Sequence, residues 1–188
     1  MVAVPVTTVA LFGGSFNPPH IAHQMVCLYV LETAPVDEVW MVPTYRHAFQ
    51  KPLAPFDDRV AMCELAAAPF GGRVVVSDIE AQLDTDANRT LETIHALLAE
   101  RPDLQLRLVI GSDILAETAK WYRWSEIEKL APPIVVGRAG HGPNPGPGPS
   151  LPDISSTEVR ARIARGHSAV PLVSRDVMDY IAHRGLYA

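Results

Sequence analysis

Cysteine is nearly absent: Cys27 and Cys63 are the two thiols in 188 residues. Two thiols build neither a disulfide framework nor a zinc site. Both fall in apolar, periodic segments, where cysteine reads as a small buried hydrophobe. Long apolar runs are missing as well. No stretch approaches the roughly 18 residues of a membrane span, so no membrane partner is expected. Met1–Ala10 has neither a basic n-region nor a cleavage pattern, so a secretory leader is not expected and a cytoplasmic location is. Positive charge is in deficit. Sixteen Lys and Arg stand against 21 Asp and Glu, a net charge of −5. With a pI near 5.8, that balance argues against a protein whose main work is gripping nucleic acid.

What is present supports a globular fold. Hydrophobic residues make up 48% of the chain, enough for a buried core. The length favours a single domain spanning 1–188. Proline is in excess, with 17 residues against an average usage of ~5%. Apolar, β-rich runs are read as strands at Val6–Phe12, Val39–Val42, Val74–Val76, Leu106–Ile110 and Ile134–Val136. Helices are read at Ile21–Leu31 (Met25, Val26 and Leu28 on the apolar side), Asp57–Ala68, Thr90–Glu100, Ser125–Leu130, Ser155–Arg165 and Ser174–His183. Strands alternate with helices, and the strands are uniformly apolar. That pattern predicts a Rossmann-like, doubly wound α/β fold, its mostly parallel sheet covered by helices on both faces. Sites in such sheets lie at the carboxyl ends of the strands.

Residues 139–153 break the pattern. Nine of these 15 residues are Gly or Pro, and the segment reads as a flexible surface connection with no helix or strand of its own.

The richest chemistry follows the first strand, in Gly13-Gly14-Ser15-Phe16-Asn17-Pro18-Pro19-His20-Ile21-Ala22-His23. Two glycines let backbone amides approach a phosphate closely, and the following helix points its positive end at the same place. His20 and His23 are three apart and share one helix face. Imidazoles there can donate to triphosphate oxygens as charge develops on them. By itself an HxxH pair fits a helix cap or a metal equally well. The second phosphate-like string is Ile154-Ser155-Ser156-Thr157-Glu158-Val159-Arg160. It offers hydroxyls and free amides at a helix start, with Arg160 one turn in as a bidentate anchor. Taken alone, Ser155 and Glu158 also satisfy a simple capping box.

Together these strings resemble the GxFxPxHxxH and ISSTxxR signatures of the HIGH-motif nucleotidyltransferases, and within them the nicotinate/nicotinamide mononucleotide adenylyltransferase family. Further strings are similar to that family's. They are Val42-Pro43 with His47–Lys51 and Arg59, Asn88-Arg89-Thr90 at a helix start, Ile110-Gly111-Ser112-Asp113, Trp121-Tyr122-Arg123-Trp124, and the tail Val177–Tyr187. The sequence departs from the pattern at Ala22, usually Gly, at Arg89, usually aromatic, and in lacking the Pro-Pro-His-Lys string before Lys51.

The resemblance implies a role for each matching residue. Catalytic roles fall on His20, His23 and Arg160, with both histidines holding the ATP phosphates. ATP contacts fall on Gly13, Gly14, Ser15, Phe16, Ile154, Ser155, Ser156 and Thr157. The mononucleotide falls to Lys51, Thr90, Gly111, Asp113, Trp121 and Tyr122, with Trp121 stacking on the pyridine ring. Trp124, at helical spacing, reads as a core anchor, and the tail as a docked end without chemistry.

The implied reaction transfers AMP from ATP to nicotinate mononucleotide, giving deamido-NAD and pyrophosphate. Mg²⁺ would be carried by the ATP phosphates, with no dedicated protein cage. Nicotinamide mononucleotide is the alternative acceptor. A phosphopantetheine-type adenylyltransferase is a rival that Thr90 and Trp121 do not suit. A non-catalytic nucleotide sensor is a rival of another class. Members of such families vary in oligomeric state, and a homo-oligomer is compatible with the sequence.

Overall fold

The computed structural model describes residues 6–46, 53–83, 89–115, 117–137, 139 and 150–188. Its centre is a five-stranded sheet in the order β3-β2-β1-β4-β5. The strands are β1 (Thr7–Gly14), β2 (Glu38–Pro43), β3 (Val74–Val76), β4 (Leu104–Gly111) and β5 (Pro133–Val136). Every pairing is parallel. The chain winds outward from β1 to β3, then returns to the other side of β1 as β4 and β5. That reversal leaves a crevice between the carboxyl ends of β1 and β4, the place where such sheets bind ligands.

The two faces of the sheet follow from the period of two along a strand. In β1, Ala10 turns to one face and Val9 and Leu11 to the other. The first face is covered by α1 (Ile21–Thr33) and α2 (Phe56–Ala67), through Cys27, Val30, Leu31, Cys63 and Ala67. The second is covered by α3 (Ile79–Gln82), α4 (Thr90–Glu100) and α6 (Trp124–Leu130), through Ile79, Leu91, Ile94, Leu97 and Ile127. Each fully buried Leu or Ile contributes about 1.5–3 kcal/mol. A third cluster joins α2 to α7 (Ser156–Ile163) and α8 (Arg175–Arg184), with Met62, Val159, Val177 and Ile181 at its centre. One further short helix, α5 (Ser112–Leu115), follows β4 directly. Both cysteines are free and buried, and burial pushes the Cys27 thiol up to about 12.

Three local readings change. β1 runs on through Gly13 and Gly14, because Gly13 pairs with Val42 and Gly14 with Pro43. Leu28 is 54% exposed; the buried face of α1 is instead Ala22, Cys27, Val30 and Leu31. α1 is apolar nearly all round, so hydrophobicity alone did not mark its inner face. The connection after β5 is anchored at its far end. Leu151 accepts from the Ala139 amide at 2.9 Å and donates to the Gly137 carbonyl at 3.0 Å. With these backbone groups paired, Leu151 packs into the core at 7% exposure. Among the described residues, no helix is long and apolar enough to cross a membrane.

Candidate active site

The turn from β1 into α1 is held from below by apolar packing. Phe16 is 2% exposed and meets Phe12 and His23 edge to face, with centroids 5.4 and 4.9 Å apart. It adopts a left-handed backbone, φ +43°, which costs about 1–3 kcal/mol for a residue with a side chain. A Cβ on Gly14 would lie 3.0 Å from the Phe16 ring, so this glycine permits the close approach. Phe16, expected to touch ATP, is therefore the floor of the turn.

His20 is the N-cap of α1, at 6% exposure. Its amide donates to His23 Nδ1 at 3.1 Å, and the two rings stack with centroids 3.7 Å apart. The capping geometry that HxxH allows is thus present, and it also fixes chemistry. With Nδ1 accepting, a neutral His23 carries its proton on Nε2, as a donor.

Both phosphate-like strings meet here. Ser155 is the N-cap of α7 and accepts from the Glu158 amide at 3.2 Å. The Glu158 carboxylate pairs with Arg162 at 2.8 Å. Ser156 donates to the Pro18 carbonyl at 2.9 Å. Arg160 donates to the Asn17 carbonyl at 2.7 Å and to Thr157 Oγ1 at 3.2 Å. The free amide end of α7 is thereby fastened beside the amide end of α1, and two helix dipoles converge.

A cavity of about 670 Å³ opens above them. Of the expected residues, Gly13, Gly14, Ser15, His20, His23, Ile154, Ser155 and Ser156 line it on one side, and Thr90, Gly111, Asp113 and Trp121 on the other. Trp121 meets Trp124 edge to face at 5.8 Å, and both pack partly buried against the α4 face of the core. A Cβ on Gly111 would collide with the Asp113 carboxylate, so glycine lets that carboxylate fold back over the strand end. Ala22, the departure from the usual Gly, lines the wall beside the histidines.

Other expected residues stand apart. Thr157 is exposed at the start of α7. Tyr122 is 51% exposed, with the Arg89 guanidinium 4.6 Å over its ring. Arg89 thus stacks on an aromatic of the neighbouring loop. Lys51, and the His47–Gln50 string before it, lie outside the described residues.

The sequence and the architecture match known proteins. The cytidylyltransferase-like family matches residues 11–162. A probable nicotinate-nucleotide adenylyltransferase of Anaeromyxobacter sp. (strain K) is 53% identical over 181 residues, 95% of this chain and 96% of that one. The chain belongs to this family. A probable nicotinate-nucleotide adenylyltransferase of Myxococcus xanthus is 41% identical, over 97% of this chain and 96% of its own length. The fold is also that of the nicotinic acid mononucleotide adenylyltransferase of Plasmodium falciparum, solved complexed with NaAD. That structure superposes with a TM-score of 0.80 at 19% identity, over 96% of this chain and 97% of that one.

Within this family fold, two polar residues are buried in a way the sequence does not mark: Glu80, and Arg59, which the sequence offers only as part of a family-like string. Arg59 is 1% exposed; it donates to the Ser15 carbonyl at 2.9 Å and the Ala54 carbonyl at 3.0 Å. Its guanidinium lies 5.3 Å over the Phe56 ring. Glu80, 8% exposed, lines the cavity and accepts from the Tyr45 amide at 3.1 Å and Thr93 Oγ1 at 3.4 Å. Burial pushes its carboxyl up, against the Tyr45 and Thr93 hydrogen bonds and the Arg59 charge. In sequence both look like ordinary charges on helix surfaces. An Arg three residues into a helix behind two acids carries no mark of burial.

Proposed function

We propose that this chain transfers the adenylyl group of ATP to nicotinate mononucleotide. The mononucleotide phosphate attacks the α-phosphorus, the bond from that phosphorus to the bridging oxygen breaks, and pyrophosphate leaves with the electron pair. The products are deamido-NAD and pyrophosphate. One observation carries the reading: a single cavity joins His20, His23 and the α7 N-terminus on one wall to Thr90, Asp113 and Trp121 on the other. That is one anion-binding wall and one wall suited to a ribose and a flat ring.

The attacking phosphate monoester is already anionic near neutral pH, so no protein base is required. The protein aligns the two nucleotides and neutralises charge on the departing phosphates. His23 Nε2, His20, the amides at Gly13–Ser15 and the start of α7 serve the ATP phosphates. Arg160, held one turn into α7, supplies a fixed cation behind them. Trp121 stacks on the pyridine ring, and Asp113 accepts from ribose hydroxyls. Lys51 is proposed as the cation for the mononucleotide phosphate. The ATP wall offers imidazoles, hydroxyls and amides, which suit phosphate oxygens better than a bare cation. Mg²⁺ would be carried in by the triphosphate, with no dedicated protein cage, and would supply charge neutralisation there. The reaction is expected in the cytoplasm.

The experiment is pyrophosphate release from ATP and Mg²⁺ with nicotinate mononucleotide or nicotinamide mononucleotide. Turnover with the nicotinate form, at the higher kcat/KM, is the expected result. No turnover with either mononucleotide would sink the proposal, and a higher kcat/KM for the amide would reassign the acceptor.

A further inference from the structure

Asn17 sits in the middle of the phosphate turn and is 4% exposed. Its side-chain oxygen accepts twice, from the Ala54 amide at 3.0 Å and from the Tyr187 hydroxyl at 2.8 Å. Its backbone carbonyl accepts from Arg160. One asparagine therefore ties together the turn that presents His20, the segment that leads into α2, the α7 cation, and a tyrosine far away in sequence.

Tyr187 reaches this point because of how α8 ends. Gly185 takes a left-handed conformation, φ +62°, and the Leu186 amide returns to the Ile181 carbonyl at 3.0 Å. The chain thereby folds back beside the turn. Tyr187 itself is left-handed, φ +64°, a conformation disfavoured for a residue with a side chain. Its hydrogen bond to Asn17 holds the side chain in place. Burial pushes the phenol pKa up, so the group stays a donor across the working pH range.

We propose that Tyr187 is a positioning residue for adenylyl transfer. Its hydroxyl orients the Asn17 carboxamide, and the carboxamide sets the backbone from which His20 and His23 project. The proposal rests on the adenylyl-transfer reading above. It adds a role for a tail that shows no chemistry of its own in sequence.

Tyr187→Phe keeps the ring and removes the donor. The Ala54 amide still satisfies Asn17, so the fold is retained and the melting midpoint moves by less than about 4 °C. The expected kinetic result is a fall in kcat of about tenfold, with both KM values within about twofold, because misplacement of the histidines acts on the transition state. Asn17→Ala lowers kcat at least as far. The double variant is no slower than Asn17→Ala, since both changes cut one connection.

A second readout needs no turnover. In the imidazole NMR spectrum of the free protein, Tyr187→Phe shifts the His20 and His23 signals and leaves those of His95, His167 and His183 in place. Losses that multiply in the double variant, or unshifted His20 and His23 signals, overturn the proposal. If the unmodified chain has no adenylyl transfer, the activity reading falls, and the spectra alone still judge the tether.

Discussion

The His20 amide donates to Nδ1 of His23 at 3.1 Å, and their rings lie nearly parallel, 20° apart in plane. The His20 backbone thus orients the second imidazole while the first ring stacks on it, and both line the cavity at the positive end of α1. His20→Ala removes one donor and the stacking surface of the other. The expected outcome is a kcat lower by about 100-fold or more, the magnitude seen when a donor acting on developing charge is lost. Pyrophosphate release under saturating substrates measures it. A kcat within threefold of the parent would take His20 out of the chemistry.

Trp121 stands on the opposite wall, with one edge fixed against Trp124. Trp121→Ala removes a stacking face worth about 1–3 kcal/mol for an aromatic base. The KM for the mononucleotide is expected to rise about tenfold, while the ATP KM stays within twofold. A rise in both by the same factor would mean that the indole supports the cavity generally and reads neither substrate.

Much of this arrangement was legible in the sequence, for reasons that differ by element. Val39–Val42 and Ile134–Val136 are apolar runs with clear ends, so their pairing into a parallel, doubly covered sheet followed from composition and spacing. The Gly13–His23 and Ile154–Arg160 strings were visible because a phosphate turn needs unusual residues at fixed spacing. α3 and α5 were not read. Four residues are too few to show a helical period. The Asn17 hub was also hidden, since Tyr187 is 170 residues away and only the fold brings its hydroxyl to that carboxamide. Leu151 read as part of a loose loop because its composition is loop-like, whereas two backbone hydrogen bonds draw it into the core.

Asp58 tests the seam between α2 and α8. Its carboxylate, 4% exposed, accepts from the Tyr180 hydroxyl at 2.8 Å and from Arg184 Nε at 2.9 Å. Burial raises its pKa, but the bonds from Tyr180 and Arg184 outweigh that and hold it below the ordinary value. Arg184 is half exposed, so its ion pair is heavily screened and most of the worth lies in the tyrosine bond. Asp58→Ala strands that hydroxyl and is expected to cost about 2 kcal/mol, or about 6 °C in melting midpoint for a domain of this size. The depressed pKa means that the contribution is present above the unfolded value and is lost as pH falls through the folded one. The gap between parent and variant is therefore expected to close in acid, and scanning calorimetry down to about pH 3 checks it.

Glu80 runs the other way. It lines the same cavity as the anion-seeking histidines, and burial raises its carboxyl pKa despite the Tyr45 amide, the Thr93 hydroxyl and the Arg59 charge. Between the ordinary glutamate value, about 4.3, and the raised folded value, the native state holds more protons than the unfolded chain. Stability contributed at this site therefore falls as pH rises through that window and is level above it. Glu80→Gln keeps an acceptor for the Tyr45 amide or Thr93 and does not titrate. The parent is thus expected to lose ground to the variant as pH rises from about 4 and to hold a constant difference once the carboxyl is ionised in both states. Denaturant midpoints of the two proteins across that range decide the matter. A difference that is flat with pH would show an unshifted carboxyl. One that grows toward acid in favour of the glutamine would show a lowered pKa, with the Arg59 charge outweighing burial.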